Sequence, residues 1–157
     1  MERSERMYSH RQIGVVILVV SVCTLAVPAI LFVTAGVPSL LWIALAVIVP
    51  IPVLFGSLTT EVTEDRFSFR FGAGLIRRSW LLSEIESCVP VRNPWYYGWG
   101  IHLTRAGWLY NVSGAEAVEL KLRDGKTLRV GTDEPEALCR AIRMMRGNAI
   151  TVTKPPM

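Results

Sequence analysis

The sequence predicts a membrane-inserted α-helical hairpin joined to an α+β domain, in which seven or eight short antiparallel strands form a partly open barrel or sandwich closed by one C-terminal amphipathic helix. Three observations predict it: an uncharged block long enough to cross a bilayer twice, a switch to two-residue hydrophobic alternation directly after it, and a last segment with helical periodicity. The block runs from Ile13 to Ser57 without one Asp, Glu, Lys, Arg or His, although 19% of the 157 residues are charged. Segregation of this kind reconciles those charges with 51% apolar residues and a mean hydropathy of +0.37. The chain beyond the block, about a hundred residues, is long enough for one domain with its own core.

The uncharged block divides at a turn. Residues 13–34 are a first run, close to the ~20 residues that cross a ~30 Å hydrocarbon core. Ala35-Gly36-Val37-Pro38-Ser39 supplies turn residues, and residues 40–56 form a second run. Pro28, Pro50 and Pro52 each remove a backbone donor and bend the helix that holds them. Trp42, just past the turn, suits the lipid–water interface. A signal peptide is a poor fit, because the first run exceeds the usual h-region and no small-x-small cleavage site comes after it.

Orientation is read from the flanks. The turn holds no Lys or Arg, whereas Arg3, Arg6 and Arg11 precede the block and Arg66, Arg70, Arg77 and Arg78 lie beyond it. Positive residues stay on the cytoplasmic side, so both termini are expected in the cytoplasm and the chain in the cell (inner) membrane. Residues 1–12 are then a short cytoplasmic tail. The three cysteines, Cys23, Cys88 and Cys139, form no CxxC pair, and an odd number fits free thiols in a reducing compartment.

The β domain is expected over residues 58–147. Arg66-Phe67-Ser68-Phe69-Arg70-Phe71 alternates strictly, the signature of a half-buried strand. Gly72-Ala73-Gly74 turns the chain into strands over 76–82 and 86–91. Trp99, Ile101 and Leu103 alternate again, with Trp99 read as core. Further strands cover 108–111, 117–122 and 127–130, the last two joined by Asp124-Gly125, a strong hairpin signal. Asp133 and Glu136 are spaced as a capping box around Pro135. Ala137, Leu138, Ala141, Ile142 and Met145 then make one apolar stripe opposed by Arg140 and Arg143. Gly147 is expected to end the helix, residues 148–157 to be a disordered tail, and a fragment starting near Thr59 to fold alone.

Several of these pieces, in this order, carry a resemblance: Thr60-Glu61-Val62-Thr63, Trp80-Leu81-Leu82-Ser83-Glu84-Ile85, Tyr97-Gly98-Trp99-Gly100-Ile101, and Gly131-Thr132-Asp133-Glu134-Pro135-Glu136-Ala137-Leu138. Together they resemble small bacterial membrane proteins that carry a pleckstrin-homology-like (PH-like) domain behind two N-terminal helices. His102 stands where similar sequences have Arg. The resemblance implies a PH-like fold and a membrane location; it implies no reaction.

Catalytic chemistry is not expected. His10 and His102 have no recognisable partners for a metal site. Glu64-Asp65 reads as a turn, Asp133-Glu134 as a helix start and Glu84/Glu86 as a solvated strand edge. Neither Gly72-Ala73-Gly74 nor Gly98-Trp99-Gly100 opens a helix, as a phosphate loop would. No catalytic residue, metal site or cofactor is therefore assigned. The domain carries 14 bases against 11 acids with no basic arm, which argues against nucleic acid as a partner.

The distinctive feature is Asn93-Pro94-Trp95-Tyr96-Tyr97-Gly98-Trp99-Gly100. Three consecutive aromatics, Trp95, Tyr96 and Tyr97, cannot all face one core, so at least one projects and suits a protein partner or the lipid interface. The expected function is a non-enzymatic, membrane-anchored binding or scaffolding module that recognises a protein partner or membrane complex. The alternative is an anionic-lipid or headgroup reader that uses Arg66, Arg70, Arg77 and Arg78 against the bilayer.

Overall fold

A computed structural model of the chain describes residues 6–36 and 38–152. It begins with a strand where the sequence predicts only a tail. β1 (Arg6–Ile13) leads directly into α1 (Val15–Ala35), and α2 (Pro38–Ile48) and α3 (Pro50–Phe55) bring the chain back to β2 (Ser57–Thr63). β1 and β2 pair antiparallel, with Arg11 opposite Thr59 and Ile13 opposite Ser57. The helical hairpin is therefore an insertion at the end of a β ladder, and its two ends leave the domain side by side.

Both helical arms are long and apolar enough to cross a membrane: 21 residues in α1 and 18 from Pro38 to Phe55. α1 stops at Gly36, whose left-handed φ of 63° lets its N–H reach the Phe32 carbonyl at 3.1 Å. Pro50 separates α2 from α3 because it cannot donate into the preceding turn.

The hairpin meets the domain through backbone hydrogen bonds. The Gly14 N–H donates to the Gly56 carbonyl at 2.9 Å, the Gly72 N–H to Ser57 at 2.8 Å, and the Ala73 N–H to Val53 at 3.1 Å. At Gly72 the chain has φ +40°, and a Cβ would stand 2.0 Å from the Val53 carbonyl oxygen. Only glycine lets the turn press this closely on α3. Phe55 meets Phe71 edge-on at 6.1 Å, so the domain core does draw on the end of the second arm.

Two sheets build the domain. The first has the order β1-β2-β3-β4, with β3 (Arg66–Phe71) and β4 (Arg77–Leu81). The second runs β5-β8-β9-β7-β6: β5 (Ile85–Arg92), β6 (Gly100–Thr104), β7 (Gly107–Asn111), β8 (Glu116–Leu122) and β9 (Thr127–Gly131). The described residues thus hold nine strands, more than the seven or eight expected from sequence. Pairing is antiparallel except between β7 and β9, which run parallel with Trp108 opposite Leu128, a departure from the all-antiparallel expectation. The chain enters both strands from the same end, because the β7–β8–β9 path crosses the sheet before returning beside β7. No strand joins the two sheets, and the barrel does not close.

The alternation in β3 is realised. Phe67, Phe69 and Phe71 are buried, and Phe69 lies 4.6 Å from Tyr110 of the opposite sheet, centroid to centroid. α4 (Pro135–Val152) covers this core with Leu138, Cys139 and Ile142. It passes Gly147 without stopping, so residues 148–152, expected as tail, belong to the helix; 153–157 lie outside the described residues. The stripe includes Cys139, and Ala137 sits at its margin. Arg143 is not a purely solvated opposing residue: it donates to the Cys88 carbonyl at 2.7 Å, while Arg146 reaches the carbonyls of Ile85 and Glu86. These bonds occupy the free edge of β5.

Two further expectations are corrected. Cys88 and Cys139 are not free thiols; they form a disulfide that ties β5 to α4, with their Cα atoms 5.6 Å apart. The start of α4 is organised differently from a capping box, since the Thr132 hydroxyl accepts the Glu134 N–H at 3.1 Å and Asp133 turns to His10. His10 Nε2 lies 2.5 Å from the Asp133 carboxylate, and the Tyr8 hydroxyl donates to Glu134 at 3.2 Å. Burial, then the Glu134 charge, push the Tyr8 phenol above its ordinary pKa and keep it a neutral donor. β1 is thereby tied to both β2 and the start of α4.

Candidate functional site

Three loops point toward the hairpin. β2 follows the second helical arm at Ser57, and the turn between β3 and β4 packs on α3 through Gly72 and Ala73. β7 ends beside Gly14, where a Cβ would lie 3.1 Å from the Val112 carbonyl oxygen. β6 starts opposite the end of β7, with Gly100 paired to Asn111, so Trp99 also lies at the hairpin end.

The segment after β5 is anchored by Asn93, which is buried. Its N–H donates to the Ala115 carbonyl at 2.7 Å, and its side-chain oxygen accepts from Arg129 at 3.0 Å. Arg129 is itself paired with Glu119 at 2.7 Å. Trp95–Tyr97 then forms a single 3₁₀ turn. The turn separates its three aromatics: Trp95 is 90% exposed, Tyr96 67% exposed and Tyr97 half-buried. Two of the three expected partner-binding residues project freely.

Trp99 is not a core residue, contrary to the expectation from alternation. It is 48% exposed and precedes β6, while Leu103 is 67% exposed and Ile101 alone of the three packs on the core. β6 is an edge strand only five residues long, so the shared face extends past the edge of the core.

Trp99 instead helps to wall an apolar groove of about 680 Å³ between the hairpin and the domain. Val20, Ser21 and Thr24 of α1 form one wall, Ile51 and Phe55 of α3 another, and Ile76, Trp99 and Ile101 the third. Ser21 and Thr24 satisfy their hydroxyls within α1, donating to the carbonyls of Ile17 and Val20 at 2.7 and 2.8 Å. They therefore offer a small, internally satisfied surface to whatever enters. Sequence reading misses the groove because its walls come from segments far apart in the chain, the apolar hairpin on one side and the β domain on the other.

The four arginines separate into different places. Arg70 and Arg77 are direct partners across β3 and β4, on the outer face. Arg78 is opposite Phe69 and lines the gap between the open edges of the sheets with Ile76, Trp80 and Ile101. Arg66 sits at the end of β3 remote from the hairpin, 3.3 Å from Asp65.

The carboxylates are engaged in separate places: Asp133 and Glu134 flank His10, away from Glu84 and Glu86. Glu84 accepts the Leu81 N–H at 2.9 Å, and Glu86 pairs with Lys121 at 3.1 Å. His102 is half-buried on its strand, as expected, with no hydrogen bond to its Nε2. Among the described residues no cluster of three or more His, Cys, Asp or Glu could hold a metal ion. No family model matches the chain, and no curated protein or solved structure is significantly similar to it.

Proposed function

We propose that this chain is a non-enzymatic binding module with a PH-like β domain, anchored in the cell (inner) membrane by its helical hairpin, and that it recognises a membrane protein partner. The observation that carries the reading is the groove between hairpin and domain, bounded by Ser21 and Thr24 on one side and Trp99 and Ile76 on the other. Association of helices in lipid favours small residues that let backbones approach closely. A partner helix seated beside Ser21 and Thr24 would present its interfacial end to Trp99, and exposed Trp95 and Tyr96 extend the contact surface. Aromatic side chains of this kind are enriched at interfaces.

Both termini are assigned to the cytoplasm. Two observations support this reading: the β1–β2 ladder holds the two ends of the hairpin together, and the turn between the arms carries no Lys or Arg. The disulfide pulls the other way, since such bonds persist in oxidising compartments. The reading follows the charge bias, which acts while the helices insert, and the Cys88–Cys139 disulfide is the observation that favours the opposite side. Reporter fusions at residue 37 and at the C-terminus should report opposite sides, and a C-terminus outside the cytoplasm would reverse the assignment.

The partner reading is tested by photo-crosslinking in membranes, with the probe at Thr24, Trp99 or Val22. Val22 is exposed but outside the groove. Thr24 and Trp99 should yield the same protein adduct and Val22 none. Lipid adducts alone, or equal protein adducts from all three, would overturn the reading.

A further inference from the structure

The outer face of the first sheet brings together an unusual set of side chains. Thr59 and Glu61 of β2, Ser68 and Arg70 of β3, and Arg77 and Ser79 of β4 line a shallow hollow of about 280 Å³. Arg70 and Arg77 occupy directly opposite positions on adjacent strands, an arrangement that repels unless an anion lies between the charges. Glu61 is 3.7 Å from Arg70, longer than a hydrogen bond, and Arg77 makes no ion pair among the described residues. The hydroxyls of Thr59, Ser68 and Ser79 line the same hollow, so donors of two kinds face one space.

The height of this hollow above the hairpin indicates what fills it. Arg70 pairs with Thr59, four residues beyond Phe55, where the helical arm ends. At ~3.4 Å per strand residue that is no more than about 14 Å from the end of the apolar span, and a long arginine stem carries its head back toward the headgroups, which occupy about 5–7 Å beyond each side of the hydrocarbon core. The β3–β4 turn beside it projects Leu75, 79% exposed, near the same boundary. We infer that the hollow binds the phosphate group of an anionic phospholipid in the leaflet around the hairpin, held between the guanidinium forks of Arg70 and Arg77. Guanidinium suits this task because its parallel N–H groups match a phosphate's oxygens. Glu61, 3.7 Å from Arg70, offsets part of the positive charge of the hollow and so disfavours the most highly charged anions. The site is separate from the groove on which the partner reading rests, and neither requires the other.

The test uses the full chain in a neutral detergent, titrated with short-chain phosphatidylglycerol, short-chain phosphatidylcholine or inorganic phosphate, with bound species counted by native mass spectrometry. Phosphatidylglycerol should bind best. R70Q and R77Q should each weaken it about tenfold or more, the loss of one charge-assisted contact, while R66Q leaves it unchanged. E61Q should strengthen binding and admit inorganic phosphate. R77K checks the fork, and should recover only part of the affinity. All the altered arginines are exposed, and circular dichroism verifies that each variant is folded. Equal binding of inorganic phosphate and phosphatidylglycerol by the unaltered chain would overturn the lipid source. Equal binding by R70Q, R77Q and R66Q would overturn the site.

Discussion

The hairpin and the β domain use the same kind of side chain in opposite ways. Within α1 only Ser21 and Pro28 are buried, and Val22 and Val33 are left open on its surface. In the domain Phe67, Phe69 and Phe71 are shut away entirely. Hydrophobic burial by the domain's own fold satisfies the second set; the first is left exposed, and on the proposed reading the bilayer supplies its apolar surroundings. Every position of the hairpin therefore avoids charge, while only alternate positions of a strand need to. The two regions leave different marks in sequence for that reason, one of composition and one of period.

An acidic substitution in each region should have opposite consequences. Phe67→Asp places a carboxylate beside Phe69 and Trp80, and an unpaired buried charge costs several kcal/mol against a total stability of about 5–15 kcal/mol. The domain should lose its β signal in circular dichroism of the full chain. Val22→Asp should leave the domain's melting temperature unchanged and instead reduce membrane insertion, by about 2.5–3.5 kcal/mol for a charge near a span centre. Loss of domain folding in both variants would mean the two regions do not fold separately.

The second largest effect concerns β1. A fragment starting at Thr59, expected from sequence to fold alone, lacks the strand that pairs along β2 from Ser57 to Thr63. It should aggregate or remain largely unfolded, because β2 becomes a long unpaired edge. A chain in which Val15–Phe55 is replaced by a short Asn-Gly turn should instead be soluble and β-rich. The hydrogen bond from Gly14 to Gly56 already closes that end of the ladder. Folding of the Thr59 fragment, or failure of the turn replacement, would show that β1 is dispensable or that the helical arms are needed.

Sequence periodicity fails at β1 for a physical reason. Its inward positions are Tyr8, His10 and Gln12, and its outward ones include Met7 and Ile13, so the usual apolar pattern is reversed. The inward set is stabilised by hydrogen bonds, to Glu134, Asp133 and the Ser113 carbonyl, which no local pattern reports. The disulfide is hidden similarly, since Cys88 and Cys139 meet only after α4 folds back on β5. β3, β8, β9 and the amphipathic face of α4 are legible because local alternation and long-range burial agree there, whereas β6 is legible as a strand but not in its buried face, because it lies at a sheet edge. For the candidate site, the projecting aromatics are legible from adjacency alone. The groove and the division of the four arginines are not, because each depends on which strands pair.

Removing the disulfide is the third test. Cys88→Ser and Cys139→Ser should each lower the stability of oxidised protein by about 2–4 kcal/mol, as a bridge across a loop of this size does, and reductant should abolish the difference. The bridge joins residues 51 apart in sequence, an edge strand to the covering helix. Hydrogen exchange should therefore rise first in α4, leaving β2 and β3 protected. Uniform loss of protection would mean that the bridge stabilises the domain as one unit.

The smallest expected change in stability is the most informative about function. Trp95 and Tyr96 touch each other edge-on, with centroids 6.1 Å apart, and both project from a turn whose position is set by Asn93, Ala115 and Arg129. Replacing both with Ser leaves those anchoring bonds intact, so stability should move by no more than about 0.5 kcal/mol. Trp99→Ala should cost more than this but less than the ~3–5 kcal/mol of a buried tryptophan, because half its surface is open. If these aromatics extend the partner surface, the double replacement should reduce the protein adduct formed from Thr24 while the melting temperature stays put. A large fall in melting temperature with the adduct retained would assign Trp95 and Tyr96 to packing, and leave Trp99 and the walls of the groove as the recognition surface.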